Sequence, residues 1–197
     1  MTLKAPAQTT PKKEISKEVL ISLLVDVFRQ YGYDGASLSC IAQVTGVGKT
    51  SLYHYFPGGK QEMAEVALAN VQDWLETAIL APLAAQGSPR HKLVQMCEQV
   101  NRFFCEGQTA CLWAVLALGQ SSDDLFHEQI RPALLSWMTA LARVLEQGGY
   151  ATVEAQHTAE DVVLRIQGAL VLAEGLGESA LKGRTLKSIA SLLEEIV

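Results

Sequence analysis

No apolar run in the 197-residue chain approaches the roughly 18 residues that a membrane span requires. Residues 1–13 are polar, carry Pro6 and Pro11, and lack the apolar core of a secretory leader. Four cysteines (Cys40, Cys97, Cys105, Cys111) form no Cys-x-x-Cys pair and sit within apolar patterns. These absences point to a cytoplasmic chain with reduced thiols and no membrane partner. The histidines (His54, His91, His127, His157) are scattered and no His-Glu-x-x-His run occurs, so no metal site is expected. No nucleophile–base set stands out, which argues against an enzyme, and nothing in the composition requires a cofactor. Alternating strand patterns and internal repeats are missing as well.

Positive charge is also scarce, and the net charge is −5. The balance is uneven along the chain. Residues 1–62 hold seven Lys/Arg against five acids, a surplus of +2, while the remainder carries −7. An asymmetry of this kind hints at a nucleic-acid-facing N-terminal end.

What is present is apolar periodicity near 3.6. Leu20, Leu23, Leu24, Val27, Phe28 and Tyr31 form one helical stripe, closed by Gly32 and a turn at 33–36. Ser37 caps a short helix whose Leu38, Ile41 and Ala42 face inward. A turn at Thr45-Gly46-Val47 precedes a second short helix over 48–55, and Pro57-Gly58-Gly59 forces a break. A long helix then runs from Lys60 towards Pro82. Further stripes follow: Leu93, Met96, Cys97, Val100 and Phe104, an apolar segment at 111–118, and Leu134, Leu135, Met138, Leu141, Ala142 and Leu145 behind a cap at 121–124. Two last helices span about 158–181 and 185–196. The expected fold class is all-α, with about nine helices.

Two short helices joined by a tight turn make a helix-turn-helix, whose second helix enters the DNA major groove. The helix over 48–55 has the chemistry for it. Val47, Leu52 and Phe56 form an inward face, leaving Lys49, Thr50, Ser51, Tyr53 and His54 outward. Lys49 suits a phosphate or guanine O6/N7, and the hydroxyls of Ser37, Thr50 and Tyr53 suit phosphate oxygens. Lys60 adds charge at the next helix start. Gly46-Val47-Gly48-Lys49-Thr50-Ser51 imitates the end of a phosphate-binding P-loop, but Gln43 stands where that motif needs glycine and no strand precedes it.

Gly32-Tyr33-Asp34-Gly35-Ala36-Ser37, Ile41-Ala42, Gly46-Val47 and the run from Leu52 to Lys60 resemble the N-terminal domain of the tetracycline-repressor (TetR/AcrR) family. The run from Ser51 to Met63 is most similar to members that sense drug-like or flavonoid-type compounds. The match covers residues 15–63; beyond it only length and helix number are alike. Cys40 departs from the acid usual before Ile-Ala, and Gly48 from a capping serine, at a cost of about 0.5 kcal/mol.

The resemblance implies a flexible tail (1–13), a three-helix DNA-binding domain (14–60) and a helical ligand-binding and dimerisation domain (61–197). It also implies a homodimer on palindromic double-stranded DNA, released by a small apolar or aromatic inducer. DNA contact then falls to Ser37, Lys49, Thr50, Ser51, Tyr53, His54 and Lys60. Met96, Val100, Phe104, Trp113, Phe126, Trp137 and Met138 are large or soft enough to line the ligand pocket. Val162, Ile166, Gly168, Ala169, Ala173, Leu186, Ile189 and Leu193 are expected at the dimer interface, glycines and alanines allowing close helix approach. Two alternatives stay open. One is a helical small-molecule-binding module without operator binding. The other is a repressor that senses redox through Cys97, Cys105 or Cys111, with Arg102 beside Cys105.

Overall fold

The computed structural model describes residues 15–106, 110–119, 126–178 and 180–196, without the side chains of 105–106, 182 and 192–196. The expected tail at 1–13, the cap at 121–124 and the side chains of Cys105 and Leu193 lie outside the described residues. Among the described residues the chain forms nine helices and no strand.

Helix α1 (Lys17–Gly35) starts at Ser16, whose Oγ accepts a hydrogen bond from Val19 N at 3.4 Å. Its stripe of Leu20, Leu24, Val27 and Phe28 is fully buried, and its backbone leaves the helical region at Gly32. Helices α2 (Leu38–Thr45) and α3 (Lys49–Tyr55) follow. Thr45, expected in the turn, instead ends α2.

Helix α4 starts as Gly59–Trp74, widens into a π-helical turn at Leu75–Leu80 and ends as Ala81–Ala84. It therefore runs through Pro82, where a stop was expected. In the wide turn the Ala81 N–H bonds to Glu76 O, five residues back. That shift precedes a residue that has no N–H to donate and whose ring crowds the carbonyl four residues earlier. Helix α5 (Pro89–Asn101, then a π-helical Arg102–Glu106) starts with Ser88 as cap and proline in the first turn. The remaining helices are α6 (Leu112–Ala117), α7 (His127–Gln147), α8 (Thr152–Leu176) and α9 (Ala180–Ile196).

Helix α1 packs along α4 and against α6, α7 pairs with α8, and α9 packs on α5 and α8. One hydrophobic core runs without a break from Phe28, Ile41 and Leu52 to Trp113, Trp137 and Ile166. Burying each such side chain contributes about 1.5–3 kcal/mol. The N-terminal helices are therefore packed onto the rest, and α4 and α6 form the junction.

Two expectations for the C-terminal helices change. On α7, Trp137 is fully buried, Met138 is half-buried and Leu135 is exposed. On α8 and α9, Val162, Ile166, Ala169, Ala173, Leu186 and Ile189 are buried within the protomer itself. Val162, Ile166, Leu186 and Ile189 pack the chain's own core. Of that expected interface set, Gly168 alone among the described side chains faces out.

Candidate nucleic-acid interface

Helix α3 is held from beneath by Leu52 and, at its C-cap, Phe56, both fully buried. Its other face carries Lys49, Thr50, Ser51, Tyr53 and His54, all exposed. Tyr55, beside them, is half-buried and donates from its hydroxyl to Ile15 O at 3.1 Å, fixing the start of α1 to the end of α3. The division into inner and outer residues is the one expected from the sequence.

The turn between α2 and α3 is set by two residues. Gly46 adopts φ 69° and ψ 7°, the left-handed region where a Cβ is disfavoured by about 1–2 kcal/mol. Thr45 is buried; its hydroxyl donates to Ile41 O at 2.7 Å and accepts from Val47 N at 3.3 Å. Thr45→Val keeps the shape and removes both bonds. It is expected to lower stability by about 1–2 kcal/mol, read as a fall of several degrees in the thermal midpoint. Sequence reasoning missed Thr45 as a structural residue, although a hydroxyl next to a turn glycine is the signal for it.

Ser37 caps α2, its Oγ accepting from Cys40 N at 3.1 Å, and remains exposed, so its O–H can still be given to an acceptor. Tyr53 is 47% exposed, and its ring edge lies over the start of α4. There Gly59 has φ 69°, and a Cβ on it would stand 3.3 Å from Tyr53 Cε1. A larger residue at 59 would be strained and would push the ring away.

Lys60 differs from expectation. Its ammonium donates to Tyr33 O at 3.0 Å and lies 4.2 Å from the centre of the Tyr33 ring. The α4 N-terminus is further occupied by Glu62, whose carboxylate accepts from Gly58 N at 2.6 Å. Lys60 thus braces α4 against the end of α1, just past the kink at Gly32. Ser37, Lys49, Thr50, Ser51, Tyr53 and His54 remain exposed around the helix-turn-helix.

The expected ligand residues are mostly closed into the core. Met96, Val100, Phe104, Trp113, Phe126 and Trp137 are buried, with Trp137 Nε1 donating to Met96 Sδ at 3.5 Å. Two of the set still border open space. Met138 lines a cleft of about 310 Å³ between α7 and α8, and Trp113 one of about 260 Å³ between α4, α6 and α7. Among the described residues no His, Cys, Asp and Glu cluster could hold a metal, and no helix is long and apolar enough to cross a membrane.

Comparison with known proteins agrees with this geometry. Residues 20–67 match the family model for bacterial regulatory proteins of the tetR family, and residues 89–180 that for the LmrA/YxaF-like C-terminal domain of transcriptional regulators. The transcriptional regulator RutR of Escherichia coli K12 is 31% identical over 152 residues, 72% of this chain and 67% of RutR. The chain belongs to the TetR family of helix-turn-helix transcriptional regulators. Another similar relative is the regulator LmrA of Bacillus subtilis, 25% identical over 161 residues, 80% of this chain and 86% of LmrA. A TetR regulator from Legionella pneumophila has the same fold, with a TM-score of 0.78 at 19% identity, over 93% of this chain and 98% of that one. This TetR-family chain is thus a DNA-binding transcriptional regulator whose residues 89–180 match an LmrA/YxaF-like C-terminal domain.

Proposed function

We propose that the chain is a ligand-responsive repressor that binds a palindromic operator as a homodimer. The single observation that carries this reading is the two-sided α3: Leu52 locked in the core, Lys49, Thr50, Ser51, Tyr53 and His54 outside it. Lys49 supplies charge to a phosphate or a guanine edge. Thr50 reaches a base or the backbone, Ser37 and Tyr53 give hydroxyls to phosphates, and Ser51 and His54 stand at the groove edge. Lys60 acts indirectly, by holding the α4 end that supports Tyr53.

Support for the dimer comes from the outer face of α8, to which only Gly168 of the described residues first expected there belongs. Leu164, Val171, Leu172 and Leu176 are all more than half exposed, interleaved with Gly168 and Gly175, whose Cβ positions face open space. A run of bare aliphatic side chains at helical spacing marks an interaction surface, and the glycines allow a second helix to come close. A two-fold pair through this face presents two α3 helices to a symmetric site.

Cys97 and Cys111 do not suit a redox sensor. Both are buried, and burial pushes the Cys111 thiol above its ordinary range, so it stays protonated at neutral pH. In a Cys105→Ser background, iodoacetamide is expected to label half-buried Cys40 first, and Cys97 and Cys111 only on unfolding. Mass spectrometry at pH 7 reads this directly.

Selection from random duplexes, followed by binding as a function of salt, tests the repressor reading. An enriched palindrome bound with a steep salt dependence is expected. Failure to enrich any sequence would remove operator binding and leave the alternative of a small-molecule-binding module.

A further inference from the structure

The helix-turn-helix part of the chain carries no surplus of positive charge. Residues 15–62 hold four cations (Lys17, Arg29, Lys49, Lys60) and four acids (Glu18, Asp26, Asp34, Glu62). Two of those cations are engaged inside the protein. The Arg29 side chain is only 10% exposed, with its guanidinium over the Phe103 ring at 4.9 Å, and the Lys60 ammonium donates to Tyr33 O. Lys17 and Lys49 alone remain exposed there. A dimer would then offer about four cations, fewer than the roughly 6–10 phosphate contacts of a strongly salt-dependent DNA binder. The surplus of the N-terminal end lies wholly before Ile15, in Lys4, Lys12 and Lys13 against Glu14.

The start of α1 is fastened beside α3 by two contacts. Tyr55, next to His54 of the outer row, donates from its hydroxyl to Ile15 O at 3.1 Å. The Lys17 ammonium lies 5.7 Å from the centre of the Phe56 ring, at the C-cap of α3. Lys12 and Lys13 precede Ile15 by only three and two positions, so bond lengths alone keep their Cα atoms within about 11 Å of it. Lys17 opens α1, where a positive charge opposes the helix dipole, so helix stability does not account for it. Glu18, in the same turn, is engaged with the helix start itself: hydrogen bonds from its own backbone N–H and from the Ser16 hydroxyl hold its carboxyl below the usual range.

We infer that Lys12, Lys13 and Lys17 form a second DNA contact, which grips the phosphates beside the half-site that α3 reads. The inference rests on the repressor reading above. Together with Lys49 they bring the dimer to about eight phosphate contacts. The contact is blind to sequence: it adds affinity and salt dependence and leaves the choice of bases to α3. A chain of net charge −5 can thus hold DNA through one local cluster of cations.

The test uses the full chain and the operator enriched from random duplexes, with affinity measured against salt. In the Lys12→Gln, Lys13→Gln double variant the slope of log affinity against log salt is expected to fall by about three to four per dimer, and affinity at moderate salt by at least about tenfold. Lys17→Gln is expected to lower the slope by about two. Discrimination between operator variants stays at the parental level in both. Arg102→Gln with Arg143→Gln removes the same charge from exposed positions outside the DNA-binding part and is expected to leave the slope unchanged.

A slope that falls by less than about two in the double variant, or by less than about one in Lys17→Gln, would overturn the proposal. So would lost discrimination between operator variants. An equal fall in the Arg102→Gln, Arg143→Gln protein would make net charge the cause and overturn it too. A parent that binds no palindrome removes the repressor reading, whereas a parent that binds one with a slope these lysines do not move removes this inference alone.

Discussion

Leu172→Glu is expected to leave the chain folded but monomeric, and to lower operator affinity by at least about a hundredfold. Leu172 is 57% exposed on α8 and sits between Gly168 and Gly175, where the partner helix of the proposed dimer would come closest. Its side chain has little to lose in the protomer, so the fold tolerates the change. In the proposed dimer the carboxylate would be desolvated against the partner's aliphatic side chains, a large penalty for one residue. Once the two reading heads separate, each binds a half-site alone and the gain from linkage, about 10²–10⁴, is lost. Light scattering gives the mass and fluorescence anisotropy the affinity. The same charge placed by Gln86→Glu, in the exposed loop before α5, is expected to change neither. A dimeric Leu172→Glu protein with parental affinity would move the interface elsewhere.

Lys49→Ala is expected to weaken operator binding about thirtyfold, roughly 1 kcal/mol for each of two heads. Lys49 opens α3 and is exposed, so folding is not at stake. If the ammonium holds a phosphate, the slope of affinity against salt falls by about two per dimer, and all operator variants weaken alike. If it holds a guanine, discrimination relaxes at one symmetric pair of positions instead. Tyr53→Phe, which keeps the ring over Gly59 and deletes the hydroxyl, is expected to give the uniform pattern. Unchanged affinity in both variants would mean that α3 does not meet the duplex through this face.

The sequence made the DNA-binding half legible because its signals are local. Leu20, Leu24, Val27 and Phe28 keep a single phase, Gly32 and Pro57 interrupt it, and Ser37 sits where a cap is needed. On α3 only Leu52 is fully buried among polar neighbours, so its inner side is unambiguous. Helix α8 has no such phase. Val162, Ile166 and Ala169 point in while Leu164, Val171 and Leu172 point out, and a helix that is apolar on both sides does not say which side is the core.

Long side chains were the other blind spot. Lys60 and Arg29 are placed by Tyr33 and Phe103, partners distant in sequence, and periodicity carries no trace of them. One weak signal existed for Arg29: a cation next to fully buried Phe28, on the edge of the α1 stripe. The expected ligand set is hard to judge from sequence for a related reason. Phe104, Phe126 and Trp137 are large enough to line a pocket, but composition does not distinguish a lining from a filled core.

Hydroxyl-radical footprinting of the selected operator tests the central claim most directly, because it reads the two heads and their symmetry in one experiment. Two equal protected patches, centred about one helical turn or 10–10.5 base pairs apart on a palindrome, are the result predicted for a dimer presenting two α3 helices. A single patch, or protection spread evenly without regard to sequence, would contradict it.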